Sequence, residues 1–384
     1  MANRTFLFQV NVTRDCNLRC THCYISSDKK AQSQFMNKEQ FIEVFRQIKD
    51  FLDRDSQTKR EYGLADIHVI GGEPTMLGLK FFEDTIPEIK KMMKNVSQEV
   101  KLTLVTNLLT GNAVKISRLF DNVATSYEHE TRFLTKAGVP KPELENKWLK
   151  NVDALYSDGI QAGVTMAVTK QAVNFGASNI LDFFYRNKFK SIHLGFFIPS
   201  GDGLIYMDSV FPMFEETSDF MIEATNWYLE RRIQDRDLYV NPVESMIESI
   251  YRKEAIDDIV CPIIPGSLDI DWDGETVTCI EAGGEVDFKS LGNIYKTPIS
   301  DILRSREYIR ERSEAIIPKP YCIGCDELES CQSACGVLHS YWNGEGECPG
   351  FKKFIKYIRN LVENEGLLPK SEIFKEPYKK TVGC

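Results

Sequence analysis

Three cysteines near the N-terminus have the type and spacing of metal ligands. Cys16, Cys20 and Cys23 are separated by three and two residues and follow the apolar segment 6–12. Thiolates on one loop can hold three corners of a four-iron cluster, and a cluster with three protein ligands leaves one iron free for another ligand. Zinc would need a fourth nearby ligand, for which His22 is the only candidate, and its place inside the triplet is not a usual zinc-finger spacing. The triplet therefore predicts an iron-sulfur cluster with chemistry at its open iron.

Seven further cysteines form a second group in the last third of the chain. They are Cys261, Cys279, Cys322, Cys325, Cys331, Cys335 and Cys348. Between two strand-like segments, Asp273-Gly274 predicts a two-residue hairpin that brings Cys279 into place. Four-cysteine zinc sites are common, but a chain that already carries a redox cluster needs an electron path, which favours iron. Cys384, the last residue, is predicted to be a free thiol on a mobile tail.

The composition is that of a globular protein. Its 384 residues, 42% of them hydrophobic, allow two domains or one large domain with an appendage. The net charge of -9, from 47 basic and 56 acidic residues, disfavours a nucleic-acid partner. Eleven cysteines, mostly in tight clusters and without a targeting segment, indicate a reducing compartment, so a cytoplasmic location is expected. No apolar run is long enough to span a bilayer, and no membrane partner is predicted.

The elements that must position the first triplet alternate between strand-like and helix-like segments over residues 1 to about 200. This alternation predicts α/β structure with a mainly parallel sheet. Six strands are predicted, over 6–12, 65–70, 101–106, 122–126, 161–168 and 191–197, and the resulting fold is a partial (β/α)6 TIM-like barrel. Asn37, with Gln40 three residues later, predicts a capped helix between the first two strands. The basic stretch 369–384 is expected to be a solvated tail.

In parallel α/β barrels, reactive groups gather at the carboxyl ends of the strands. The cysteine triplet follows the first predicted strand, and Gly71-Gly72-Glu73-Pro74 follows the second. Glycines let the backbone approach a ligand closely, and a carboxylate accepts hydrogen bonds from an ammonium group. Polar residues end the next two predicted strands. They are followed by residues 127–132, a run rich in titratable groups that could contact the substrate, the cofactor or neither. The residues that end these strands are Thr106, Asn107 and Ser126.

Together, the triplet and the Gly-Gly-Glu-Pro run resemble the signatures of radical SAM enzymes. The resemblance implies that S-adenosylmethionine chelates the open iron through its amino and carboxylate groups, and that one electron cleaves it to a 5'-deoxyadenosyl radical. By the same resemblance, the Gly-Gly-Glu-Pro run binds the amino group of the methionine moiety, and the loop 198–203 faces the cofactor. The implied cofactor-binding residues are His22, Tyr24, Gly71, Gly72, Glu73, Pro74, Thr106, Asn107 and Ser126.

The later cysteines, together with Gly274, resemble the SPASM pattern of twin auxiliary clusters. The resemblance implies that Cys261, Cys279 and Cys335 bind a first auxiliary four-iron cluster, and it assigns a second cluster to Cys322, Cys325, Cys331 and Cys348. Three [4Fe-4S] clusters are therefore expected. The first auxiliary cluster has three obvious ligands, because Ser267 stands where sulfatase-maturing relatives carry an additional cysteine. Its fourth iron is either open or bound by a ligand from elsewhere.

The resemblance implies a radical SAM enzyme that modifies a peptide or protein side chain oxidatively. Oxidation, epimerisation or rearrangement of a small metabolite, such as a sugar or an aminocyclitol, is the alternative, and an iron-sulfur electron carrier or sensor is a third. A sulfatase-maturing activity is disfavoured because Ile280-Glu281 follows Cys279 in place of that subfamily's aspartate. Expected partners are a reductant such as flavodoxin or ferredoxin, a precursor peptide and a separate recognition protein, since no leader-gripping domain precedes the barrel.

The predicted domain organisation has four parts. Residues 1–212 form the partial barrel, 213–258 a helical linker, 259–366 a smaller cysteine-rich α+β iron-sulfur domain, and 367–384 the C-terminal tail.

Overall fold

One ten-stranded sheet runs through the molecule. The computed structural model describes residues 4–54, 58, 61–256 and 258–377. The strands are β1 Arg4–Asn11, β2 Tyr62–Ile70, β3 Glu99–Val105, β4 Asn122–Ser126, β5 Gly163–Val168, β6 Ser191–Phe196, β7 Tyr239–Asn241, β8 Ser267–Ile270, β9 Glu275–Val277 and β10 Gly292–Asn293. Their order in the sheet is β10-β9-β8-β1-β2-β3-β4-β5-β6-β7.

The six predicted strands are β1 to β6, and they pair in sequence order with parallel neighbours. This arrangement confirms the predicted α/β class and the partial barrel. Two further strands extend the parallel part: β7 pairs with β6, and β8 pairs with β1. The sequence alone did not predict β7, whose three residues are too few for a periodic pattern. It predicted β8 only as one arm of a hairpin.

Helices cover the sheet between the strands. They are α1 Ser27–Gln32, α2 Lys38–Asp53, α3 Leu79–Met93, α4 Ala113–Ser117, α5 Pro142–Ser157, α6 Lys170–Phe175, α7 Ala177–Arg186, α8 Asp202–Ile205, α9 Met207–Val210, α10 Phe214–Leu229, α11 Val243–Arg252, α12 Ile280–Gly283, α13 Ile299–Ile302, α14 Arg306–Ile316, α15 Leu328–Cys331, α16 Lys352–Glu363 and α17 Lys370–Phe374. At the start of α2, Asn37 and Gln40 exchange side-chain to backbone hydrogen bonds of 2.8 and 2.9 Å, so the predicted capping box is confirmed.

Two large apolar cores lie under the sheet, and both include residues from the C-terminal third. The core beneath β1 to β3 takes in Leu268, Ile270 and Ile302. The other core, beneath β4 to β6, includes Phe354 and Ile358 of α16. Burial of these side chains is the main stabilising term in such packing. The cysteine-rich region is therefore joined to the barrel by shared cores as well as by a shared sheet.

Two local expectations differ from the structure. The hairpin between β8 and β9 has a three-residue loop, because the Asp271 amide pairs with the Glu275 carbonyl at 2.8 Å and Gly274 takes the left-handed conformation. The tail begins as the short helix α17, in which Lys370 is buried and its backbone amide donates to Glu244 at 2.6 Å. This part is packed rather than solvated because α11 offers a buried carboxylate. Cys384 lies outside the described residues.

Among the described helices, none has both the length and the apolar character needed to cross a membrane.

Candidate metal centres and cofactor site

The cysteine triplet lies on the loop that leaves the carboxyl end of β1. Cys16 is buried, and its sulfur accepts a hydrogen bond from the Leu18 amide at 3.4 Å. Cys20 donates through its thiol to the Arg132 carbonyl at 3.2 Å. Burial raises the pKa of the Cys16 thiol to about 11, and the negative charges of Glu73 and Cys23 add to that rise. These buried thiols therefore need a nearby positive charge, such as that of a metal, before they become thiolates.

The Gly-Gly-Glu-Pro loop after β2 pairs with the cysteine loop through its backbone. The Gly72 amide donates to the Thr13 carbonyl and the Glu73 amide donates to the Asp15 carbonyl, both at 2.9 Å. A Cβ atom on Gly71 would lie 2.0 Å from the Thr13 carbonyl oxygen, and one on Gly72 would lie 2.1 Å from that of Asp15. Only glycine fits at these two positions. The loop after β2 thereby sets where the cysteine loop lies.

Glu73 joins the ends of β2 and β3. One of its carboxylate oxygens accepts from the Thr75 amide at 3.0 Å and from the Thr106 hydroxyl at 2.7 Å, while the other accepts from the Asn107 amide at 2.7 Å. Burial raises the pKa of Glu73, and these hydrogen bonds oppose the rise. Asn107 extends the link to the triplet, since its side-chain amide donates to Asn17 at 2.7 Å. Three predicted cofactor residues, Glu73, Thr106 and Asn107, are thus brought together.

Behind the triplet stands a buried charge network that the sequence alone did not predict. Glu128, after β4, contacts His22 Nε2 at 3.0 Å and Arg132 Nη1 at 2.9 Å. His22 Nδ1 also lies 2.8 Å from the Thr131 hydroxyl. Although burial alone would raise the pKa of Glu128, the charges and hydrogen bonds of His22 and Arg132 lower it to about 2. The titratable run after β4 therefore supports the cysteine loop, whereas Ser126 stands half-buried at the strand end before it.

Tyr24 lies between the barrel and the cysteine-rich region. A Cβ atom on Gly201, in the loop after β6, would lie 2.2 Å from the Tyr24 carbonyl oxygen, and one on Gly284 would lie 2.0 Å from it. The Ser26 amide donates to the Gly284 carbonyl at 2.9 Å. The Tyr24 hydroxyl is buried and has no hydrogen-bond partner among the described residues. The predicted cofactor loop 198–203 therefore closes on the segment that follows Cys23.

A second buried network ties the cysteine loop to the hairpin of the C-terminal region. Arg14 donates to Asp269 at 2.7 Å and to Asp271 at 3.0 Å, and all three side chains are buried. Lys29 also contacts Asp271, at 2.7 Å. Burial raises the pKa of Asp269 to about 6, although the charge of Arg14 opposes the rise. The sequence shows that Arg14, a charged residue, lies beside the triplet. It does not show the partners of Arg14, because they are more than 250 residues away in the chain.

Cys261, Cys279 and Cys335 come together near the end of β9, although they are distant in sequence. Burial raises the pKa of the Cys335 thiol to about 12, and the charges of Glu281 and Cys261 raise it further. The charge of Cys335 in turn adds to the raised pKa of the Cys279 thiol. The Cys279 thiol donates to the Glu281 carboxylate at 2.9 Å. This group is called the first auxiliary set below.

The other four cysteines, called the second auxiliary set, line one cavity of about 320 Å³. Cys322, Cys325, Cys331 and Cys348 all contribute to its wall. Burial raises the pKa of the Cys331 thiol to about 11, with further rises from the charges of the other three. Four of the seven cysteines therefore share one cavity in the structure.

These donor sets fit iron-sulfur clusters, because each brings together three or four cysteine side chains, the ligands that such clusters use. In the described part of the chain, no group of three or more His, Cys, Asp or Glu side chains has the arrangement to hold a single metal ion.

Comparisons with known proteins place two families on these regions. Residues 10–169 match the radical SAM superfamily, and residues 261–326 match the iron-sulfur cluster-binding domain SPASM. No curated protein matches the chain.

Solved structures share the fold at low sequence identity. Native anSMEcpe with bound AdoMet and Kp18Cys peptide is 16% identical, with a TM-score of 0.73, and the alignment covers 94% of this chain and 98% of that chain. Streptococcus suis SuiB bound to precursor peptide SuiA is 15% identical, with a TM-score of 0.59, and the alignment covers 91% of this chain and 74% of that chain. These likenesses confirm the predicted fold.

Proposed function

Because the chain belongs to the radical SAM superfamily and carries a SPASM domain, we propose that it uses S-adenosylmethionine to modify a peptide or protein side chain oxidatively. Its cofactors are S-adenosylmethionine, a four-iron cluster and the auxiliary iron-sulfur clusters of the SPASM domain. The observation that supports a peptide substrate is the fold shared over 94% of the chain with anSMEcpe, which was solved with a peptide bound.

We assign Cys16, Cys20 and Cys23 to the radical-generating cluster. When bound, this cluster supplies the electron that cleaves S-adenosylmethionine, which leads to abstraction of a hydrogen atom from substrate. Each cysteine must lose its proton to bind iron. The guanidinium of Arg132 assists, because its positive charge opposes the effect of burial on the pKa of the Cys16 and Cys20 thiols.

Binding of S-adenosylmethionine is assigned to the ends of β2 to β4. Gly71 and Gly72 hold the backbone of the Gly-Gly-Glu-Pro loop against the cysteine loop, which positions it for the amino group of the cofactor. Pro74 and Tyr24 flank this space in our proposal, and Ser126 supplies a hydroxyl at its edge. His22, Thr106 and Asn107 are bonded to protein groups, so we propose that these three act by fixing the shape of the site.

Metal analysis tests the cluster assignment. The anaerobically purified protein should contain about twelve iron atoms per chain, as three four-iron clusters require. Zinc in the second cysteine group with only about four iron atoms would defeat the proposal for that region.

Cleavage of S-adenosylmethionine tests the radical site. With a strong reductant, or with a reduced flavodoxin or ferredoxin, the protein should release 5'-deoxyadenosine, and replacement of the triplet cysteines by alanine should abolish the product. Cys384→Ala serves as the control, because this thiol belongs to neither cysteine group. A protein without product under strong reductant would be an electron carrier or sensor.

The substrate requires a separate test. A gene for a short precursor peptide beside this one would supply the peptide to assay, with or without a recognition protein. Loss of two hydrogen atoms from a residue of that peptide, dependent on S-adenosylmethionine, is the expected result. Turnover of a sugar or aminocyclitol, without any change in the peptide, would overturn the proposed substrate class.

A further inference from the structure

Glu281 is a carboxylate that contacts the first auxiliary set directly. Its Oε2 atom accepts a hydrogen bond from the Cys279 thiol at 2.9 Å. Both residues belong to one short segment, because Cys279 caps the helix α12 and Glu281 is the second residue of that helix. The segment is held in place by the hydrogen bond from the Ser26 amide to the Gly284 carbonyl.

Glu281 influences all three thiols of this set. Burial raises the pKa of the Cys261, Cys279 and Cys335 thiols, and the charge of Glu281 contributes a further rise at each of them. In the second auxiliary set, the charge of Glu347 raises the pKa of one thiol only, that of Cys348, and the charges that raise the pKa of Cys331 come from the other cysteines of that set. Its direct contact is with one of these thiols, that of Cys279, at 2.9 Å.

The alternative fourth ligand in this part of the chain is already engaged. Ser267 occupies the position at which a relative would carry an extra cysteine, yet its hydroxyl donates to the Thr278 carbonyl at 2.7 Å inside the β8–β9 hairpin. Ser267 is also buried. Its oxygen is therefore held within the hairpin, whereas Glu281 directs its carboxylate to a ligand cysteine.

Electrostatics also favours a cation between these groups. Thiolates that bind metal carry negative charge, and a carboxylate beside such a sulfur repels it unless a cationic group, such as the irons of one cluster, compensates both. Lys319 acts on Cys261, where its charge lowers the thiol pKa. No lysine, arginine or histidine of the described ranges forms an ion pair with Glu281. A metal cluster would neutralise all four groups together.

We infer that Glu281 is the fourth protein ligand of the first auxiliary cluster. Its carboxylate oxygen bonds to the iron that Cys261, Cys279 and Cys335 leave without a cysteine, and the Cys279 proton is released when the cluster binds. The inference rests on the proposed function, because it requires a cluster at this set. It also means that this cluster has no iron open to substrate while Glu281 is bound.

The experiment uses protein in which the triplet cysteines are replaced by alanine, so that only auxiliary clusters are present. Into this background we place Glu281→Ala, Glu281→Gln, Glu281→Cys and, as a matched control, Glu285→Gln. Glu285 lies on the same segment but accepts from the Gly201 amide at 2.9 Å. Mössbauer spectra of iron-57 protein and a titration with a small thiol, followed by electron paramagnetic resonance, are the readouts.

Glu281→Ala should raise the apparent affinity for the added thiol at least about tenfold, because it vacates one coordination position. Glu281→Gln should raise it less, Glu281→Cys should abolish thiol binding, and Glu285→Gln should match the background. The Mössbauer signal of one distinct iron should change in the Glu281 variants alone.

Two failures have different meanings. If the background protein lacks the roughly eight iron atoms of two auxiliary clusters, the cluster assignment fails. If the iron is present but Glu281→Ala shows the thiol affinity and Mössbauer spectrum of the background, Glu281 is not a ligand and only this inference is overturned.

Discussion

Replacing Gly72 by alanine should separate the two loops that form the cofactor site. The added Cβ atom would lie 2.1 Å from the Asp15 carbonyl oxygen and 2.5 Å from that of Arg14. Both contacts are with backbone, so no side-chain rotation can relieve them. Non-bonded carbon and oxygen atoms require well over 3 Å, so the loops must move apart by at least about 1 Å.

The expected loss of stability follows from the bonds that this movement disrupts. Gly72 and Glu73 donate backbone hydrogen bonds of 2.9 Å to Thr13 and Asp15, and each such bond contributes about 0.5–1.5 kcal/mol. Two broken bonds and the residual strain together predict a loss of about 2–4 kcal/mol. The same movement displaces Cys16, which directly follows Asp15, so the N-terminal cluster should bind more weakly.

Gly111→Ala is the matched control. A Cβ atom there meets nothing within 4 Å, and neither glycine has a positive φ angle, so the two substitutions differ in contact rather than in backbone conformation. Urea unfolding and iron analysis of both variants are the measurements. Equal stability and equal iron content in the two variants would refute the steric reasoning.

Three further predictions concern the buried networks. Arg14→Met should cost about 3–5 kcal/mol in urea unfolding because it leaves the buried Asp269 carboxylate without its ion pair, while Asp271 keeps Lys29. Arg118→Met, at an exposed pair, should cost below about 1 kcal/mol; equal losses would contradict this. The folded pKa of Glu128, about 2, lies below its ordinary value of 4.5, so its charge stabilises the fold above pH 4.5, and that contribution disappears as the pH falls toward 2. Glu128→Gln in the metal-free protein should therefore cost ~3 kcal/mol at pH 7 and progressively less below pH 4.5, and a constant gap would argue against it. Thr106→Val removes a donor from Glu73 and should cost about 1–3 kcal/mol, with thermal unfolding as the check and an unchanged midpoint as the contrary result.

The sequence was most informative where a pattern is local. Strand and helix periodicity predicted β1 to β6, and the Asn37 capping box depended on two residues three apart. The grouping of the later cysteines into two cluster sets came from their resemblance to the SPASM pattern and stays a prediction. In each case the deciding residues were close in sequence or fell in a known register.

The unpredicted features depend on pairing between distant residues. The residues next to Arg14 in the sequence do not indicate that it pairs with Asp269. Likewise, Glu128 lies in a run of titratable residues, and only the fold shows that it contacts His22. The short strand β7 is recognised as a strand only by its pairing with β6, because three residues are too few to show a periodic pattern. Tertiary contacts, rather than propensity, decide such features.

The pairing of β1 with β8 has a consequence for biosynthesis. Asn11 and Asp269, which bond across these strands, are 258 residues apart. At about 5–20 residues per second, the ribosome finishes β8 roughly 13–50 s after β1. During that interval one edge of β1 stays unpaired, and an open strand edge is a template for aggregation. Translation that stops before β8 would release a barrel with that edge exposed and Arg14 unneutralised, so chaperone protection of nascent chains should be needed until the cysteine-rich region emerges.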